Sequence, residues 1–145
     1  MRKIRIFLTQ ICACGPKFAG LEKGMVIKMK KECQERINKI TIGFQECQKA
    51  FSAIGDETRQ LILLVLLQSE LSGIRVGEIS QKTHLTRPSV SHHLQILKDA
   101  GIVNMRKEGT KNYYYISADE SQWKSIVELM NLVYEGVLDI GKKKF

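Results

Sequence analysis

The stretch TRPSVSHHLQILKDAG, residues 86–101, sets two histidines side by side among hydroxyl, amide and basic residues. Adjacent imidazoles suggest metal ligation, proton transfer, or contact with a bound molecule. Metal ligation on a helix favours residues four apart, or cysteine company. General-base chemistry needs an orienting acid and a nucleophile, and no serine–acid arrangement is evident in the sequence. Neighbours on a helix point about 100° apart, so the two histidines do not face one ligand. His93 falls beside the apolar positions Val90, Leu94 and Leu97 and is expected to pack. His92 falls outward, on the side of Arg87, Ser91, Gln95 and Lys98. Its open readings are contact with a partner or plain solvent exposure.

Cysteine is the other reactive type. Cys12, Cys14, Cys33 and Cys47 all lie in the first third of the chain. A disulfide framework would spread through the fold, so the pattern reads as a reduced, cytoplasmic chain. Cys12 and Cys14 offer two soft ligands, too few for a tetrahedral site. The four could form a redox or soft-metal sensor. The plainer reading is a free N-terminal pair and two ordinary buried cysteines.

The elements that must position these groups follow from periodicity. Thr86 is an apt N-cap, Pro88 suits the first turn, and Gly101 suits the position just past a C-terminus. This predicts a helix over 86–99. Before it, VGEISQK (76–82) reads as a short helix and THLTR as a turn, with a very short strand at Ile74–Val76. Further back, Asp56 is placed to cap a helix from Glu57 to about Gln68. That helix is apolar nearly all round, which places it at the centre of the core. Ile37, Ile40 and Phe44, then Ala50, Phe51 and Ile54, mark two earlier helical stretches, with Gly43 a weak point in the first. After Gly101 the period becomes two: IVNMRK, a turn at Glu108–Gly109, and KNYYYIS form a hairpin over 103–116. Tyr114 should face away from Tyr113 and Tyr115. Residues 119–140 return to helix.

At 145 residues the chain is sized for one domain. Its net charge is +8, but residues 1–32 carry +6 of it, so the total is a poor argument for a nucleic-acid partner. The local +3 over Thr86–Lys111 is a better one. No run is long enough for a membrane span. The start MRKIRIFLTQICACG has a charged beginning but a short, interrupted apolar run and no small-x-small site, unlike a signal peptide. Residues 1–31 are therefore expected to be a basic extension, disordered or partly strand at Ile4–Leu8, with Met25 or Met29 as alternative starts. Residues 32–141 would form the domain and 142–145 a basic tail.

A short helix, a tight turn, a polar-faced helix and a hairpin make a winged helix-turn-helix. The segments AIGDETRQLILLVLL, VGEISQKTHLTRPSVSHHLQILKDAGIV and RKEGTKNYYYIS resemble the ArsR/SmtB family of small transcriptional regulators, in the family's order and over about half of the chain. The resemblance implies a mainly α fold with a β-hairpin wing and helices at both ends forming a dimer interface. It implies a homodimeric repressor, not an enzyme, that binds a palindromic operator on double-stranded DNA until an inducer releases it. The alternative is a winged-helix protein–protein interaction module.

Helix 86–99 would enter the major groove. Arg87 could pair with guanine, Gln95 could reach adenine or phosphate, and Ser91 and His92 could make close contacts. Thr86 and Ser89 could donate to phosphate, and Arg106, Lys107 and Lys111 would flank the wing tip for phosphate or minor-groove contact. The alternative reading of the wing charges is an ordinary solvated hairpin. The dimer face would be built from Ile37, Ile40 and Phe44 with Trp123, Val127, Met130, Val133 and Val137. The family's usual metal ligands are cysteines on the helix before the turn, or Asp and His on the last helix. VGEISQK has no cysteine and the last helix has no histidine, so no cofactor is expected, and a metal or metalloid inducer lacks its common ligand set.

Overall fold

The computed structural model describes residues 23–69, 72–116 and 122–142. The element order is α1 (Lys23–Glu46), α2 (Gln48–Ile54), α3 (Glu57–Leu67), α4 (Val76–Thr83), α5 (Arg87–Asp99), β1 (Asn104–Glu108), β2 (Lys111–Tyr115) and α6 (Trp123–Lys142). The fold is mainly α with a two-stranded antiparallel hairpin. Helix α1 starts at Lys23, so the expected boundary between residues 31 and 32 falls inside a continuous helix. The expected strand at Ile4–Leu8 lies outside the described residues, as do Cys12 and Cys14. No helix among the described residues is long and apolar enough to cross a membrane.

Among the described residues the chain divides into two compact units, one within residues 46–127 and one of residues 23–45 with 128–142. The first unit has a core of Ala50, Ala53, Ile62, Leu66, Ile79, Val90, Leu94, Leu97, Ile102 and Val103. Helix α3 starts where expected, because the Asp56 side chain accepts a hydrogen bond from the Arg59 amide at 3.0 Å. Its role differs from the expectation of an all-round core helix. Ile62, Leu63, Val65 and Leu66 are buried, whereas Leu61, Leu64 and Leu67 are exposed, Leu64 by 55%. A helix packed from one side buries only that side, whatever residues occupy the other.

Arg59, a residue without a role in the sequence reading, fastens α3 to α2. Its Nε donates to the Ala53 carbonyl at 2.7 Å and a terminal nitrogen donates to the Ser52 carbonyl at 3.2 Å. These carbonyls sit at the C-terminal end of α2, where helix geometry leaves acceptors without partners.

In the second unit α1 and α6 approach closely at Gly43. A Cβ there would stand 2.9 Å from Leu129 Cδ1, and Leu129 is buried. The glycine read as a weak point in the helix is thus a point of helix contact. Arg36 and Asp139 pair across the same two helices, and that hydrogen bond holds the Arg36 guanidinium above its ordinary pKa.

Candidate nucleic-acid interface

Helix α5 begins at a local start signal. Thr86 is extended, and its hydroxyl accepts from the Ser89 amide at 3.4 Å. Val90, Leu94 and Leu97 are fully buried. Arg87, Ser91, His92, Gln95 and Lys98 are exposed, while Ser89 and His93 are half-buried. The two imidazoles meet edge to face, with centroids 5.7 Å apart. The rings touch at their edges, but His92 is exposed where His93 is half-buried, as helical spacing demands. Gln95 donates to Asp99 at 2.6 Å, one turn on, which holds its amide along the helix.

The end of α5 is built on Gly101, φ +69. The Gly101 amide donates to Lys98 O and the Ile102 amide to Leu97 O, both at 2.9 Å. This is the paired closure that a left-handed residue permits, and Ile102 and Leu97 are buried together beneath it.

Helix α4 precedes α5 through a turn at His84, the only non-glycine residue with positive φ among those described, at +57. The Ser80 hydroxyl donates to the Leu85 carbonyl across this turn at 2.5 Å. Ile79 and Thr83 bury the inner face of α4.

The hairpin register pairs Asn104 with Tyr115, Arg106 with Tyr113 and Glu108 with Lys111, leaving Gly109 and Thr110 at the tip. Tyr114 faces away from its neighbours and packs against the core. Ile74 bridges Tyr114 in both directions, at 3.0 and 2.9 Å. This anchors the wing to the start of α4. Gly73 makes the bridge possible: its φ is +83, and a Cβ would lie 2.9 Å from the Tyr114 carbonyl oxygen.

The three basic residues of the wing differ. Arg106 pairs with Glu108 at 3.0 Å and lies 5.4 Å over the Tyr113 ring, so the hairpin already engages its charge. Lys107 and Lys111 are exposed, with no ion-pair partner among the described residues. An open groove of about 490 Å³ runs between α4, α5 and the wing, lined by Arg75, Val76, Gly77, Glu78, Gln81, Arg87, Lys111 and Asn112. Arg75 and Asn112 were missed in the sequence. The only available signal for Arg75 was a cation one residue ahead of a helix start.

The expected dimer positions are only partly on one exposed face. Val127, Met130 and Val137 are exposed on α6, together with Tyr134 and Leu138, and Phe44 and Ile42 are exposed on α1. Ile37, Ile40 and Val133 are half-buried. Trp123, also expected on the dimer face, is half-buried. It packs against the core of the first unit, and its indole N–H donates to the Ile102 carbonyl at 3.2 Å. An amphipathic ring at a helix start serves here to fasten that helix to the end of α5.

Cys33 is half-buried. Cys47 is 1% exposed, and burial, followed by the nearby Glu46 charge, pushes its thiol pKa up. Both effects disfavour the reactive thiolate. No group of three or more His, Cys, Asp or Glu side chains comes together as a metal-binding cluster among the described residues.

Residues 56–105 match the family model described as bacterial regulatory protein, arsR family. The chain is 42% identical over 88 residues to an HTH-type transcriptional regulator of Methanocaldococcus jannaschii, a match covering 61% of this chain and 94% of that one. It is 33% identical to the transcriptional repressor SdpR of Bacillus subtilis, over 62% of this chain and 96% of that one. Its fold is similar to an ArsR-like transcriptional regulator from Rhodococcus sp. RHA1, with a TM-score of 0.57 and 25% identity over 70% of this chain and 89% of that one. With a matched segment that runs from the cap of α3 into the wing, and a polar-faced helix held before a hairpin, the chain belongs to the ArsR family and is a winged helix-turn-helix transcriptional regulator.

Proposed function

We propose that the protein is a cytoplasmic homodimeric repressor, without catalytic activity, that binds a palindromic operator through α5 and the wing. The observation that carries this reading is the partition of α5. Its inner stripe is fully buried, and every residue from Arg87 to Lys98 outside that stripe and its flanks is polar or charged and exposed, apart from Pro88. Such a helix presents side chains to a groove without unfolding its own core. Thr86, Ser89, Ser91, His92 and Gln95 supply hydroxyl, imidazole and amide groups, and Arg87, Lys107 and Lys111 supply charge. Arg106 contributes by shaping the wing as well as by its own charge.

The homodimer reading is supported by the apolar stripe on α6. Val127, Met130, Tyr134 and Val137 recur at the spacing of a helix–helix seam. A two-fold dimer places two recognition helices on one side and matches a palindrome.

Footprinting on the DNA upstream of the gene tests the proposal. Protection of two half-sites one helical turn apart is the expected result. Binding that neither prefers a sequence nor weakens with salt would favour the protein–protein module instead. Transcription from the protected promoter should rise when the protein is removed, and a fall would make it an activator. Release by oxidant, thiol reagent or a metal panel then identifies the inducing class.

A further inference from the structure

The groove between the starts of α4, α5 and β2 joins charges that are far apart in sequence. Arg75 precedes α4, Arg87 opens α5 and Lys111 opens β2. The single carboxylate in the lining, Glu78, lies 3.2 Å from Arg75 and offsets it. Arg87 and Lys111 have no ion-pair partner among the described residues. A Cβ at Gly77 would stand 3.5 Å from a terminal nitrogen of Arg87, so the guanidinium lies against the first turn of α4. Ser91, His92 and Gln95 do not line this groove. Of the exposed α5 side chains, Arg87 is the one that reaches this groove.

A planar guanidinium, an ammonium and the amides of Gln81 and Asn112 suit an oxyanion that accepts several hydrogen bonds. The groove is open and exceeds a single phosphate in volume, as a passing sugar–phosphate strand requires. We infer that this groove seats a backbone phosphate of duplex DNA, with Arg87 and Lys111 as its cations and Arg75 as a third whose charge Glu78 holds back. The inference rests on the DNA-binding reading and deepens it. Arg87 becomes a positioning contact, and base reading falls to Ser91, His92 and Gln95.

The test uses the full chain, a duplex selected from a randomised pool, and a scrambled duplex of equal length, each titrated with salt. Arg87→Ala and Lys111→Gln should each weaken binding to both duplexes by the same factor, on the order of tenfold, and reduce the log–log salt slope by about one. The preference for the selected duplex should not change. Glu78→Gln should strengthen binding to both a few-fold, because it frees Arg75. Arg87→Lys should keep the salt slope while losing part of the affinity. All three side chains are exposed, and thermal unfolding checks that each variant folds. Loss of preference with unchanged binding to the scrambled duplex in Arg87→Ala would make Arg87 a base reader and overturn the inference. So would weaker or unchanged binding by Glu78→Gln. Failure of the wild-type chain to bind either duplex would instead overturn the DNA-binding reading itself.

Discussion

Cys47 and His84 show how environment redirects a side chain whose type alone suggests chemistry. Burial raises the Cys47 pKa above its ordinary 9.0, so the folded protein keeps this proton to higher pH than the unfolded chain does. The associated stability is fully present below that ordinary value and is lost as pH rises through the folded value. Urea midpoints measured from pH 7 upward should therefore fall more steeply on the alkaline side in the wild type than in Cys47→Ala. Equal slopes would remove Cys47 as the source. His84 holds a left-handed backbone that costs an L-residue roughly 1–2 kcal/mol, part of which glycine returns as unfolded-chain entropy. His84→Gly should raise stability by about 0.5–1 kcal/mol in chemical denaturation. A loss would show that the imidazole makes contacts that outweigh the backbone strain.

At the scale of elements, the bridge to Ile74 ties the wing to the start of α4. Gly73→Ala meets both a positive φ and the Tyr114 carbonyl oxygen. It should cost about 2 kcal/mol or more, in the range of strained-backbone and overpacking changes. Amide exchange in β2 should accelerate more than in α5, whereas uniform acceleration would show that the bridge is not a local anchor. The sequence made α5, its cap, its closing glycine and the presence of the hairpin legible, because each arises from neighbours within a few positions. The turn falls one residue later than expected, at Gly109–Thr110, because Glu108 pairs with Lys111. It misread α3, since Leu61, Leu64 and Leu67 are as apolar as the residues that α3 buries. Which side of a helix is covered depends on the elements packed against it, and those come from distant parts of the chain. The packing of Trp123 against the core of the first unit is likewise decided by distant elements.

The whole molecule presents an apolar α6 stripe, with Val137 60% and Tyr134 63% exposed. Val137→Glu should shift sedimentation from dimer to monomer and weaken palindromic-site binding by at least tenfold, on the order of the 1.4 kcal/mol that a factor of ten represents. Retention of the dimer would place the interface elsewhere. Tyr134 was absent from the expected seam because a tyrosine on a helix is compatible with either face.

The sequence by itself determined the winged helix-turn-helix order and the divergence of His92 from His93. Helical period, capping and turn chemistry are local properties that a short segment carries with it. Only the tertiary structure decided that Arg87 shares a groove with Arg75 and Lys111, that Arg106 is engaged by Glu108 and Tyr113, and that Trp123 belongs to a core. Most of these partners are distant in sequence, and even Arg106 meets Tyr113 only through the hairpin register. Their association depends on chain reversal and packing, which residue spacing along a single element does not encode.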